Sequence, residues 1–564
     1  MVKRDRMRIR NQMLSCAVAW FVATSIASAQ HQTTSFSPVS IGSVLPYQVE
    51  LRQTTLSGAV LPTLQSFAAA QYDGKWVLMA GRTNGLHGFT ETPSLNFPTA
   101  FRSHDVWVVD PVTGQSWSRS LETDPNSGLS AAEVVSIGTT NNQFVQQGDR
   151  LYMVGGYTGQ GTESKLTAID LAGMVDWVQN GTSMASDHIR QTSDTMFAVT
   201  GGAMYDIDGT THLVFGHNFV GGYRPGKTGI YTKQVRSFEI VDDGTTLSFT
   251  NASSTAEVDA YRRRDLNVFP VVKPNGTDEG LVALAGVFTE QDGAWTVPVE
   301  IDAAGAPTMA DPTAGDTFKQ AMNQYHSAKF GIYSDLQRTM HEVLMGGITL
   351  QYYDETSDTF VQDDAMPNTS QVTSVSIDPN GDYSQHLLGS FPAIDDGAGN
   401  MLRLGANAEF FVAPGIVTYD NGVIDFDELV AGETIVGHVF GGLAANAPHV
   451  RGTPGAVSVA SNMVFEVSIT VLEGDYNRDG LVDAADYTQW RDTLGQSVAA
   501  GTYADGSGNG TVDADDYTFW QARYGNMLSQ PMPAALSAAV PEPASGLIAL
   551  FALGVVLGAR QMGR

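Results

Sequence analysis

Cysteine is almost absent: Cys16 is the only one in 564 residues. A chain with one thiol can form no internal disulfide and no paired-thiol centre. Charged residues are sparse at 16%, and basic ones sparser still, with 31 Lys and Arg against 60 Asp and Glu. That shortage excludes nucleic acid as a partner, because neutralising phosphates needs stripes of Lys and Arg. What is plentiful is glycine, 59 residues, alongside 23 prolines and a 42% hydrophobic content. This composition points to many short strands and turns around apolar cores, not to helical bundles or disorder. The length allows one large domain or a few ordinary ones.

The two ends read as addresses. Lys3, Arg4, Arg6, Arg8 and Arg10 precede an apolar stretch at 14–26, and Ala27-Ser28-Ala29 follows. That order is a secretory signal peptide over residues 1–29, with an apolar stretch too short to span a bilayer. Cleavage after Ala29 would discard Cys16 and leave a mature chain without thiols. Residues 1–30 hold five bases and one acid, so the remainder carries 26 bases against 59 acids, a net of −33. At the other end, Val540-Pro541-Glu542-Pro543 precedes an apolar run at 544–559 and then Arg560 and Arg564. This tail, 540–564, resembles a PEP-CTERM sorting signal, with a simple tail anchor as the alternative. Either way the expectation is export, membrane contact through 544–559 before processing, and a place in the cell envelope or outside it. Residues 528–539 read as a linker.

A duplicated acidic loop precedes the linker. Asp475, Asn477, Asp479, Leu481, Asp483 and Asp486 occupy positions 1, 3, 5, 7, 9 and 12 of the first copy. Asp505, Ser507, Asn509, Thr511, Asp513 and Asp516 occupy them in the second, and Gly480 and Gly510 stand at position 6. Calcium takes six to eight hard oxygens from such a loop, with position 7 giving its carbonyl and glycine making the sharp turn. Two calcium ions are therefore expected, the second held more weakly because Ser507 and Asn509 carry no charge. Each loop leads into one short helix bearing Tyr487 and Trp490, or Tyr517 and Trp520, on one face. The pair resembles a type I dockerin over 473–527, which implies calcium-dependent folding and a cohesin or other envelope protein as partner. Ala484-Ala485 and Ala514-Asp515 depart from the Ser-Thr common at the family's recognition positions.

Between 45 and 472, apolar runs ending in glycine recur at Gly81, Gly156, Gly216, Gly286, Gly347 and Gly442. Most are spaced roughly 60–75 residues apart, beyond the usual propeller repeat of about 40–50, which leaves room for long loops. Another apolar strand precedes most runs, at 66–71, 196–200, 267–272 and 328–333, and one or two follow, as at 106–110 and 116–118. Four strands per unit, radially repeated, describe a mostly β propeller. The glycines after the second strand and the stretch from Asp110 to Trp117 resemble kelch repeats; the fourth and sixth units lack parts of that motif. The resemblance extends to uncharacterised secreted bacterial kelch-like proteins and implies six blades, with seven as the alternative. Residues 47–51 are expected to close the ring from the N-terminus.

Loops entering first strands and leaving second strands share one propeller face, where long loops on a rigid scaffold carry binding. The candidates there are Arg82, His87, Arg190, Arg264, Tyr325 and His326. Arginines in an acidic protein suit the carboxylates or sulfates of a polysaccharide. The competing expectation is that each Arg pairs with a nearby Asp, Arg264 with Asp265 and Arg190 with Asp194, and holds blades together. No Gly-x-Ser-x-Gly elbow or His-Glu-x-x-His motif is present. A copper radical oxidase of the kelch type, which needs a crosslinked cysteine, does not fit the mature chain. The leading expectation is a non-catalytic propeller that binds glycan or protein. The alternative is a polysaccharide lyase or glycoside hydrolase attached to an assembly through its dockerin.

Overall fold

The computed structural model describes residues 36–41, 45–227, 229–272, 279–290, 293–451 and 453–528. The stretches expected to be a signal peptide, 1–29, and a sorting signal, 540–564, lie outside the described residues. Among the described residues, no helix is long and apolar enough to cross a membrane.

The molecule is mostly β and forms a propeller. Five regular blades are four-stranded antiparallel sheets. The first runs outward through Ala68–Tyr72, Lys75–Met79, Asp105–Asp110 and Gln115–Ser120. The second uses Gln143–Gln147, Arg150–Val154, Lys165–Asp170 and Ile189–Ser193. Next come Ala203–Ile207, Thr210–Val214, Val235–Asp242 and Leu247–Ser254. The fourth holds Asn267–Val272, Glu279–Leu284, Val299–Asp302 and Pro307–Met309. The last blade places Ala408–Val412 innermost, then Gly432–Gly441 and Val464–Val471, and takes its outer strand, Tyr47–Thr54, from the start of the chain. Tyr47–Thr54 pairs antiparallel along its whole length with Val464–Val471, which ties the first described strands to the last.

The count of regular blades is thus one below the six units expected. The fifth position holds a six-stranded sheet. Its centre is the same meander, Ala328–Ser334, Thr339–Ile348, Asn368–Ile377 and Tyr383–Ser390. Val39–Ile41 adds in parallel outside and Ile424–Asp425 inside. A second difference lies in the third blade. Residues 196–200 read as its inner strand, but Asp194 accepts the Met196 N–H at 2.8 Å and starts a short turn of 3-10 helix there. The inner strand is Ala203–Ile207, with Met204 and Ile207 buried.

Cores lie between sheets rather than inside any one of them. Val77, Met79 and Val106 meet Leu151 and Ile169, and equivalent clusters fill the remaining five junctions around the ring. At the closing junction Trp76 stacks on Phe411 with centroids 4.5 Å apart. Each large aromatic buried this way contributes about 2–3 kcal/mol.

Candidate functional site

Six residues, one before each innermost strand, have left-handed backbones: Ser66, Asn141, Gly201, Asp265, His326 and Asn407, with φ between 52° and 65°. Their peptides link from sheet to sheet. Asn141 donates to Ser66 O at 3.3 Å, Gly201 to Asn141 O at 3.1 Å and Asp265 to Gly201 O at 2.6 Å. Asn407 donates to His326 O at 2.7 Å, and Ser66 returns the chain of bonds to Asn407 O at 3.2 Å. A left-handed residue with a side chain costs about 1–2 kcal/mol, so five of them in one ring are held there by these bonds.

The residue before each ring position bridges to the residue just after the glycine run. Gln65 faces Arg82, Thr140 faces Tyr157, Thr200 faces His217, Arg264 faces Val287 and Tyr325 faces Ile348. These pairs line the lower wall of a cavity of about 820 Å³ on the propeller axis. Loops 86–97, 217–227, 364–368 and 448–451 raise the wall, with Gly229 and Tyr231 beside them. Its volume falls in the range of sites that enclose small ligands.

One side of the cavity is a continuous aromatic surface. His87 packs on Phe89, Phe97 and Tyr223 with centroids 4.6, 4.9 and 4.6 Å away. Phe97 leads to Tyr157, Tyr157 to Phe219, Phe219 to His217 and His217 to Tyr231. Cations lie on ring faces: Arg82 on Phe97 at 5.3 Å, Lys227 on Phe219 at 5.4 Å and Arg262 on Tyr231 at 4.1 Å. Arg264 lies on Phe288 at 5.2 Å and Arg451 on Phe89 at 4.5 Å. Ring quadrupoles hold a cation without cancelling its charge. Six cations line the cavity, Arg224 included, against the two carboxylates Asp265 and Asp364. Among the described residues, Arg264 alone of the six has a carboxylate ion pair, with Asp265 at 3.4 Å.

Asp265 organises the floor. Its other oxygen stands 2.9 Å from His326 Nε2. Burial works to raise the Asp265 pKa, but Arg264 and His326 overcome it and hold the carboxyl well below the usual range. Arg264 also donates to the Tyr231 hydroxyl at 3.2 Å. His87 and His217 are different. Burial pushes them down to about 4 and about 3, so both are neutral near pH 7. Their Nδ1 atoms face the carbonyls of Gly88 at 2.9 Å and Thr200 at 3.0 Å and must carry the proton. That leaves each Nε2 as a bare acceptor. Burial and the neighbouring Arg102 lower Arg82 to about 10, so it stays charged.

Of the residues singled out from sequence, Arg82, His87, Arg264, Tyr325 and His326 line this cavity. Arg190 does not. It sits on the outermost strand of the second blade, and its guanidinium meets both oxygens of Asp242 in the third blade at 2.7 Å. The error follows from the misplaced inner strand, since 190 directly precedes 196–200. Its partner is Asp242 rather than Asp194, and its role is to clip two blades together. Tyr157, His217, Tyr223, Tyr231, Arg262 and Arg451 were missed. The first two carry a readable signal, being the first residue after a glycine run, as Arg82 is. The other four come from loops whose course no local pattern reveals.

The two acidic loops share one hydrogen-bond scheme. Asp475 accepts Gly480 N–H at 2.7 Å, and Asp486 accepts Asn477 and Asp483 N–H at 3.1 and 2.7 Å. Asp505 accepts Gly510 N–H at 2.7 Å, and Asp516 accepts Ser507 and Asp513 N–H at 2.8 and 2.7 Å. Burial, with added repulsion from Asp486 and Asp479 against the Gly480 N–H, raises Asp475 to about 7. Among the described residues, no three His, Cys, Asp or Glu side chains converge tightly enough to cage an ion as they stand. The helices Ala484–Thr493 and Ala514–Gln521 pack face to face. Trp490 donates to Asp513 O at 2.7 Å and Trp520 to Asp483 O at 3.0 Å, so each helix grips the other loop.

This unit rests on the propeller through its first loop. Arg478, 1% exposed, donates to Leu429 O at 2.6 Å and lies over the Phe426 ring. Gln337 donates to Asn477 O at 2.5 Å, and the Tyr503 hydroxyl to Glu428 at 2.9 Å.

Fold and site together define a β-propeller with a cationic, aromatic cavity at its centre. No protein-family model matches the chain, and no curated protein matches it.

Proposed function

We propose that this chain is an exported, envelope-associated kelch-like propeller whose central cavity binds an acidic glycan. The observation that carries the reading is that four of the cavity's six cations, Arg82, Lys227, Arg262 and Arg451, rest on aromatic faces and not on carboxylates. In a chain with nearly two acids per base, neutralising partners are abundant, and this cavity recruits only two. Uncompensated guanidinium groups beside flat rings favour a ligand with both carboxylate or sulfate groups and stackable sugar faces. A concave site of this size favours a glycan over a protein surface. The six sheets are read as six blades, with the six-stranded one in fifth place.

The test is a binding panel of galacturonan, alginate, chondroitin sulfate and a neutral glucan, at low and high salt. The acidic polymers are expected to bind and to weaken with salt, and Lys227→Ala with Arg451→Ala to lose most of the affinity. Neutral glucan binding equally well would overturn the reading. The alternative, catalysis, draws on Tyr325, His326 and Arg264 meeting at the floor. A hydrolase needing two free carboxylates is disfavoured, since Asp265 is locked in ion pairs. For a lyase, the same panel reads unsaturated product. Product that vanishes in His326→Ala or Tyr325→Phe would assign one.

Residues 473–527 are proposed to be a dockerin-like module with two calcium sites, from Asp475, Asn477, Asp479, Leu481, Asp483 and Asp486, and from Asp505, Ser507, Asn509, Thr511, Asp513 and Asp516. Matching hydrogen bonds in two loops of matching spacing support this, as does the energetic demand of buried, mutually repelling carboxylates for a cation. The exposed surface with Tyr487 on the first helix and Tyr524 just past the second would meet a cohesin or another envelope protein. Calorimetry on the full chain is expected to count two calcium ions, one lost in Asp486→Ala and the other in Asp516→Ala. No heat of binding in the intact protein would remove the proposal.

A further inference from the structure

We infer that the cavity receives the end of an acidic oligosaccharide chain, its terminal charged unit seated on the floor, and not a segment from the middle of a chain. This rests on the reading of the cavity as an acidic-glycan site and adds how the ligand must enter.

The cavity is blind. Its floor is the backbone ring, and no described residue of the six inner strands beyond that ring lines it. Side chains also tie neighbouring ring positions, with Asp265 2.9 Å from His326 Nε2 and Asn407 Nδ2 donating to Gln65 Oε1 at 3.1 Å. Below the ring the inner strands are tied together again. Gln71 donates to Val412 O at 2.9 Å, Gln146 to Gln71 O at 2.7 Å and the Tyr205 hydroxyl to Val268 O at 2.6 Å. The cavity therefore ends at the ring and does not continue down the axis.

The rim is stitched as well. Leu86 N–H reaches Ser458 Oγ at 2.9 Å, joining the first blade to the last. Asn96 donates to Tyr223 O at 2.9 Å, and Tyr223 N–H to the Tyr157 hydroxyl at 2.8 Å. Asn368 N–H reaches Pro448 O at 2.8 Å, and His449 pairs with Asp363 at 2.8 Å. Among the described residues, loops from all six sheets wall the cavity, which makes it a pit and not the open-ended cleft that a mid-chain binder requires. The charges are ordered by depth. Arg224 and Arg451 are exposed at the mouth, while the Arg264 side chain on the floor is 21% exposed. A charged terminal unit on the floor and a second charge at the mouth match a chain entering end-on. The bare Nε2 atoms of His87 and His217 offer acceptors for its hydroxyls on the way.

The experiment uses the full-length chain with short and long size-defined oligosaccharides, galacturonate in one arm and chondroitin sulfate in the other. Calorimetry gives molar affinity, and sedimentation counts proteins per glycan chain. The expected result is one protein per chain at every length, with molar affinities equal within about twofold. Blocking one particular terminus with a bulky fluorophore should weaken binding by about tenfold or more, the scale of losing a charge-assisted contact. Lys227→Ala and Arg451→Ala, both away from the floor, should weaken every length alike. Several proteins loading on one long chain, or full affinity with both ends blocked, would overturn end-on entry while leaving the glycan reading intact. No binding in either arm would remove both.

Discussion

His341 shows how a residue that reads as chemistry can be structure. Beside Glu342 it resembles the start of a catalytic pair, yet it is buried within Thr339–Ile348, bonded through Nδ1 to Ser376 Oγ at 2.8 Å and edge-on to Tyr47. Burial, with repulsion from His386, pushes its pKa down to about 3. The unfolded chain therefore takes up a proton near pH 6.5 that the folded one refuses until about pH 3. The folded pKa is depressed, so the penalty grows as pH falls through that window. His341→Phe, which keeps the ring contact, should flatten the loss of Tm between pH 6.5 and pH 4. An unchanged slope would show that His341 is not the group that titrates.

The glycine runs show what an element demands of its sequence. At the end of each second strand two consecutive residues have positive φ: Ala80 and Gly81, Gly155 and Gly156, Phe215 and Gly216, Ala285 and Gly286, Gly346 and Gly347, Gly441 and Gly442. The second position is glycine every time, which made the repeat legible without an alignment. A Cβ on Gly155 would stand 2.0 Å from Val199 O. Gly155→Ala should cost about 3 kcal/mol or more, from backbone strain plus collision. Gly148 also has positive φ but open space around it, so Gly148→Ala should cost only about 1 kcal/mol. Urea denaturation of the two variants separates clash from strain. Inner strands were harder to read. The apolar run at 196–200 outcompetes the true strand Ala203–Ile207 by hydrophobicity, and only Asp194, a good turn starter, argues against it. That one slip carried Arg190 into the wrong site. The widened sheet was illegible for another reason: Val39–Ile41 and Ile424–Asp425 are short and join in parallel from distant parts of the chain.

Across the whole molecule, the acidic excess is a property of the outside, while the axis gathers cations. Composition revealed the first and could not reveal the second, because the six cations come from four separate stretches between 82 and 451. The propeller and the C-terminal unit also behave as joined parts. Arg478 fills the contact between them, so Arg478→Ala should expose the junction near 472–474 and speed limited proteolysis there, with the propeller fragment left intact. Cleavage at the wild-type rate would mean the remaining contacts suffice.

The inner strand Ala328–Ser334 starts beside the cavity floor at His326 and ends at the turn where Gln337 holds Asn477. Seven residues of strand, about 23 Å, separate the mouth's floor from the acidic loops. The two working ends of the protein therefore face in opposite directions. A partner gripping the C-terminal unit would stand behind the propeller, and the mouth would look outward from that attachment like the open end of a socket on its mount. A tethered copy would meet approaching chain ends unobstructed.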